Sequence, residues 1–115
     1  MEKLFEKLKE YLKMETEIPF EEFSEYYRNV INYLNSEYDA LEQENLIKAR
    51  YICSIIQANA DGRAKQSRAN AKAYKKISSK SVFWMDAINF RLIKEGMTQA
   101  EIDEATEKVN ESIED

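Results

Sequence analysis

Apolar residues recur at helical spacing from the start of the chain. Leu4, Phe5, Leu8, Tyr11 and Leu12 line one face of a segment from Glu2 to Met14, while Glu and Lys cover the other, as in an amphipathic helix. The stretch METEIP then interrupts the pattern, because Pro19 disfavours helical geometry at Ile18 and suits the first turn of a new helix. That second helix, from about Pro19 to Asn35, sets Phe20, Phe23, Tyr27, Val30, Ile31 and Leu34 along one broad face, with Tyr26 and Tyr33 at its edges. Ser36 followed by Asp39 has the spacing of a capping box and predicts a third helix from about Glu37 to Ala60. Tyr38, Leu41, Leu46, Ala49, Ile52, Cys53 and Ile56 form its apolar stripe, widened by Ile47, Tyr51 and Ile55. A stripe that wide is expected to touch more than one neighbour.

Beyond Ala58 small residues dominate, and they favour helix while contributing little apolar area. Asp61 and Gly62 offer a turn, so the next helix either continues the third as one long rod or doubles back near Gly62. Ser78 to Ser81 supply a further N-cap signal ahead of VFWMDAINFRLI. In that run Val82, Phe83, Trp84, Met85, Ala87, Ile88, Phe90, Leu92 and Ile93 leave a helix apolar on most sides, which belongs to a core or an oligomer interface. Gly96 closes it, and Thr98 with Glu101 forms a clear capping box for a last helix with a narrow seam of Ile102, Ala105, Val109 and Ile113. No alternating, strand-like segment stands out. The expected fold is an all-α bundle of five or six helices in a single domain, residues 1–115, with one long central helix if Gly62 lies inside it. The apolar run and the narrow seam predict a homo-oligomer, such as a dimer.

Charge changes this picture by dividing the chain. The net charge of −5 conceals a balance of −6 over residues 1–48, +8 over 49–94 and −7 over 95–115. The basic part is concentrated in DGRAKQSRANAKAYKKISSK, residues 61–80. On a continuous helix Lys65, Arg68, Lys72, Lys75 and Lys76 would share one face, with Lys80 one turn further, and Ser67, Asn70, Tyr74, Ile77 and Ser78 would lie opposite. So little apolar surface implies that the segment is held by neighbouring helices or by a ligand. Arg63, Lys65, Arg68, Lys72, Lys75, Lys76, Lys80 and Tyr74 are the candidate anion-binding or partner-binding residues. Against them stands the common case of a basic face that is solvated or compensated within the protein.

Several chemistries are excluded by what is missing. Without histidine there is no imidazole base, no zinc site of the usual kind and no Cys–His nucleophile pair. Two glycines, far apart, cannot make a phosphate-binding glycine loop. Cys53, the only cysteine, cannot form an internal disulfide and reads as a small buried hydrophobe. No run approaches a membrane span, and the amphipathic start is unlike a signal peptide, so a cytoplasmic location is expected. Carboxylates remain as the one route to a metal. Glu21, Glu22 and Glu25, written EEFSE, form a pattern that is similar to the Glu-Glu-x-x-Glu half of the all-α nucleotide pyrophosphohydrolases of the MazG type. The resemblance implies a magnesium site completed by a Glu-x-x-Asp on the next helix. Here Glu37 is followed by Asp39 two residues later, and the third helix holds no Glu-x-x-Asp. A Glu-rich first turn also follows from helix polarity alone.

These exclusions leave a non-catalytic protein without cofactor. The leading expectation is a protein-interaction module, a small regulator or inhibitor that binds a host macromolecule through charged and aromatic helix faces. In composition it resembles the small helical, Lys-, Glu-, Asn-, Ile- and Tyr-rich regulators encoded by phages. The alternative is binding of nucleic acid, or of a small phosphorylated ligand, by the basic helix 63–80.

Overall fold

The computed structural model describes residues 1–114. The described chain is all-α: α1 (Glu2–Leu12), α2 (Phe20–Glu37), a 3-10 turn (Tyr38–Ala40), α3 (Gln43–Gln66), α4 (Ala71–Lys94) and α5 (Gln99–Glu114), with no strand. The helices fall into two compact units, the first Met1–Glu42 and the second from Gln43 onward. Among the described residues no helix is long and apolar enough to cross a membrane.

In the first unit α1 buries Phe5 and Leu8, and α2 buries Phe23, Tyr26, Val30 and Leu34 at the three-to-four-residue spacing of one helix face. Pro19 occupies the N-cap of α2 in extended geometry, and its carbonyl accepts the first helical bond, from the Phe23 amide at 3.0 Å. The two helices are joined by aromatic side chains. The Tyr26 hydroxyl donates to the Leu4 carbonyl at 2.7 Å, and the Tyr11 ring stands edge-on to that of Tyr26, with centroids 5.4 Å apart. Tyrosine suits this place because the ring packs while the hydroxyl satisfies a backbone carbonyl.

The helix expected from Glu37 starts later. Glu37 ends α2, Asp39 lies in the 3-10 turn, Leu41 is extended and buried, and α3 begins at Gln43. Asn35 and Ser36 are weak helix formers, but α2 carries them because Leu34 is fully buried one position earlier.

In the second unit α3 and α4 form an antiparallel hairpin. Of the two alternatives the hairpin holds and the single rod does not, with the turn at residues 67–70, about one turn of helix beyond Gly62, which sits inside α3. The reason is visible on both sides of Gly62. Asp61, expected in a turn, instead accepts from Gln57 Nε2 at 2.6 Å, an i, i+4 pair along α3. At the real turn the Ser67 amide still bonds to the Arg63 carbonyl at 3.0 Å, the Asn70 amide donates to Ser67 Oγ at 3.3 Å, and the Tyr74 amide starts α4 on the Asn70 carbonyl at 2.9 Å. Counting outward from residues 68 and 69 places Ala60 level with Ile77, Ile56 with Ser81, Cys53 with Trp84 and Ala49 with Ile88. Each pair sets a large side chain opposite a small one, and all eight are buried. Interdigitation of that kind selects the register.

Ser78 and Ser81, expected as a cap, are buried mid-helix in α4, and Ser81 Oγ donates back to the Ile77 carbonyl at 2.9 Å. The expected break into two helices is therefore absent. Small size is what the position uses.

Gly96 ends α4 as expected, at φ +106°, with the Gly96 amide on the Ile93 carbonyl and the Met97 amide on the Leu92 carbonyl, both at 3.0 Å. These two bonds make a Schellman motif. The Thr98–Glu101 box also forms: the Thr98 amide donates to Glu101 Oε1 at 2.9 Å, and the Glu101 amide donates to Thr98 Oγ1 at 3.1 Å. The Thr98 amide first, and the Thr98 hydroxyl second, hold the Glu101 carboxyl below its ordinary pKa by hydrogen bonding to it. α5 then returns along α3, burying Ile102 and Ile113. It is held by Tyr51 Oη to Asn110 Oδ1 at 2.8 Å, Arg50 Nη1 to Thr106 Oγ1 at 3.1 Å, and a reciprocal amide pair between Asn89 and Gln99. The wide stripe of α3 thus serves two neighbours, α4 and α5.

Candidate partner-binding surface

The candidate cations gather at one end of the hairpin. α3 and α4 each have 24 residues, about 36 Å of helix, whereas α5 has 16. Asn110 of α5 is level with Tyr51, and α5 stops four residues later. The hairpin therefore runs on past the end of α5 by roughly 16 Å at 1.5 Å per residue. Residues 62–85, which include this tip, hold seven cations and no acid.

The eight expected site residues divide into two groups. Arg63 and Tyr74 are not on an accessible surface: they are 9% and 4% exposed. Arg63 Nη1 donates to the Tyr74 hydroxyl at 3.3 Å, and the guanidinium carbon lies 5.9 Å from the ring centroid. This contact closes the hairpin one turn below its end. Burial of an arginine is tolerable there because its charge meets a hydroxyl, a ring face and the carbonyl end of α3.

Lys65, Arg68, Lys72, Lys75, Lys76 and Lys80 are all exposed. The single continuous helix face that the spacing predicts does not form, because the turn at 67–70 intervenes: Lys65 lies in the last turn of α3, Arg68 lies in the turn, and the other four belong to α4. The fold gathers them instead around a helix reversal. Among the described residues Lys65, Arg68, Lys72, Lys75 and Lys76 make no ion pair, whereas the cations that do are Lys7, Lys9, Lys48, Arg50, Arg91 and Lys108. Internal compensation by salt bridges is thus not what places these five.

Helix polarity explains part of the arrangement. Arg63 and Lys65 lie in the last turn of α3, where cations are favourable. Lys72 lies in the first turn of α4, which carries no acid. A cation there faces the positive end of the helix, at a cost of about 0.3–1 kcal/mol.

The apolar run on α4, expected in a core or an interface, divides between buried and exposed positions. Of the apolar run on α4, Trp84, Ile88 and Leu92 are buried as expected. Val82, Phe83, Phe90 and Ile93 are instead exposed, by 40%, 55%, 66% and 46%. Phe83 and Phe90 are seven residues apart and so lie on one side of α4. Lys80 Nζ sits 5.1 Å from the Phe83 ring centroid and Lys94 Nζ 5.6 Å from that of Phe90. The signal that separates the two groups was available: 84, 88 and 92 share a helical period with 77 and 81, and 83, 90 and 93 do not.

The acidic pattern of α2 takes a local role. Glu22 hydrogen-bonds Tyr11, whose hydroxyl is pushed up to about 12 by burial first, then by that bond and by the charges of Glu22, Glu10 and Glu25. Among the described residues no group of three or more His, Cys, Asp or Glu is placed to hold a metal ion. Cys53 is buried, and burial alone raises its thiol to about 12.

Compared with protein-family models, curated proteins and solved structures, the chain shows no significant match.

Proposed function

We propose that this chain is a non-catalytic interaction protein, of the regulatory or inhibitory kind, which docks the tip of the α3–α4 hairpin on an acidic surface of a cytoplasmic partner protein. The observation that carries the reading is the set of exposed cations without ion pairs, Lys65, Arg68, Lys72, Lys75 and Lys76, on a chain whose net charge is −5. Acids are plentiful in the sequence, yet among the described residues none pairs with these five. Lys72 strengthens the point, since its place opposes the polarity of its own helix. Complementary potentials of this kind raise association rates and select the partner.

A second reading, binding of nucleic-acid phosphates, is favoured by one feature of the same tip. The start of α4 presents backbone amides among the cations, and a helix N-terminus ringed by Lys and Arg suits phosphate oxygens.

The test uses the full chain and a variant carrying Lys65→Glu, Arg68→Glu, Lys72→Glu and Lys76→Glu. All four positions are exposed, so helicity by circular dichroism is expected to stay unchanged. A partner captured by the wild-type chain is purified and its affinity measured against both forms. A loss of roughly tenfold or more in the variant supports docking through the tip; equal affinity overturns it. Light scattering with a random DNA duplex, at low and moderate salt, decides the second reading. A complex that dissolves with added salt would give the tip to phosphate.

A further inference from the structure

One side of α4 carries cations and aromatic rings in a single line. At about 100° per residue Lys72, Lys76, Phe83, Phe90 and Lys94 fall within about 40° of one another, and all five are exposed. The line is opposite the side that α4 buries through Tyr74, Ser81, Ile88 and Leu92. α5 does not cover it either, since the reciprocal amide pair of Asn89 and Gln99 sets α5 about 120° round the helix from the line. The result is a ridge roughly 33 Å long at 1.5 Å per residue, with cations at both ends and two rings about 10 Å apart between them. Arg91, in the same last turn as Lys94, is taken up by Glu95 at 2.8 Å. Lys72, Lys76 and Lys94 make no ion pair among the described residues.

We infer that this ridge takes an acidic amphipathic helix of the partner protein, laid along α4 with apolar side chains against Phe83 and Phe90 and carboxylates against Lys72, Lys76 and Lys94. The inference rests on the protein-partner reading above and extends that site from the tip down the length of α4. Charge names the occupant. Cations bracket the two rings, so whatever covers the rings must bring acids to both ends. A second copy of the same ridge fails this condition: a parallel pair would set each cation against itself, and an antiparallel pair centred on the rings would bring Lys80 beside Lys94 of the other copy.

Spacing gives the occupant its form. Phe83 and Phe90 are seven residues apart, two turns of helix, which is the interval at which a packed helix returns to the same seam. α4 has no free backbone edge for an extended strand to join, whereas a helix with apolar side chains at such intervals presents a matching row. Asp86, exposed between the two rings on one flank, favours a protein helix over an anionic bilayer. A bilayer of uniform charge repels it, and a helix meets it with a single lysine or arginine.

The test uses the full chain and a labelled amphipathic peptide of about 22 residues, enough to span the ridge as a helix, with leucine at the a and d positions of each heptad and glutamate at most others. An analogue carries glutamine in place of glutamate. Fluorescence anisotropy is expected to show the glutamate peptide binding roughly tenfold tighter than the glutamine one, with the difference shrinking as salt is added. Phe90→Ala and Lys94→Glu are each expected to weaken the glutamate peptide by roughly fivefold or more at unchanged helicity, because both side chains are exposed and lie at the far end of α4 from the tip. Equal affinity for the two peptides, or no effect of either substitution, overturns the proposal. Binding to phosphatidylcholine vesicles containing phosphatidylglycerol that Phe90→Ala abolishes, with no binding of the glutamate peptide, would give the ridge to a membrane surface and also overturn it. The tip is separated by Lys65→Glu with Arg68→Glu, both off the ridge. A captured partner weakened by that pair but indifferent to Phe90→Ala and Lys94→Glu would overturn the ridge alone and leave the tip reading standing.

Discussion

Replacing each of the two glycines by alanine isolates one variable, the backbone angle. A Cβ built at Gly62 or at Gly96 meets nothing within 4 Å, so neither substitution creates a clash with a neighbour. Gly62 lies inside α3, whereas Gly96 has φ +106° at the end of α4. In a helix interior alanine is favoured over glycine by about 0.5–1 kcal/mol, because it restricts the unfolded chain and adds no strain to the folded one. In the left-handed region a Cβ costs about 1–2 kcal/mol, only partly offset by the same gain in the unfolded state. Gly62→Ala is therefore expected to stabilise the second unit by ~0.5–1 kcal/mol and Gly96→Ala to destabilise it by ~1 kcal/mol. Trp84 is the only tryptophan and is buried in α4, so its fluorescence during urea unfolding reports on this unit. With slopes of about 1–3 kcal/mol per molar urea, the two midpoints should move in opposite directions by a few tenths of a molar or more, at unchanged slope. A lower midpoint for Gly62→Ala would refute the placement of Gly62 in a helix and return the turn to residues 61 and 62.

Two further outcomes follow from burial. Trp84→Ala is expected to cost ~3–5 kcal/mol of unfolding free energy, whereas Phe83→Ala, one residue away but 55% exposed, is expected to cost under ~1 kcal/mol in the monomer; equal losses in chemical denaturation would place both in the core. Cys53 is expected to react with a thiol reagent at pH 8 only as fast as the fold opens. Its folded pKa, about 12, is raised above the unfolded value near 9, so its contribution to stability is complete below pH 9 and lost as pH rises toward 12. Rapid modification of the native chain at pH 8, or a loss of stability below pH 9 that Cys53→Ser abolishes, would contradict this.

The sequence determined the class of fold and most of its punctuation. Apolar residues at helical spacing, with Pro19, Gly96 and the Thr98–Glu101 box, specify all-α structure and the ends of several helices, because caps and φ preferences act within a few residues. What failed depended on neighbours far along the chain. Gly62 and the serines at 78–81 resemble breaks when read locally, but α3 and α4 pack through those segments and bury Ala60, Ser78 and Ser81, which outweighs a local preference worth under ~1 kcal/mol. The turn at 67–70 splits a basic stripe that looks continuous on one helix, and it sends Arg63 and Tyr74 inward while six cations stay outside. The apolar run on α4 was likewise ambiguous, since composition gives the quantity of apolar surface and only the positions of α3 and α5 decide which part is covered. Local chemistry therefore set which residues are helical, and tertiary packing decided which of them are left to meet a partner.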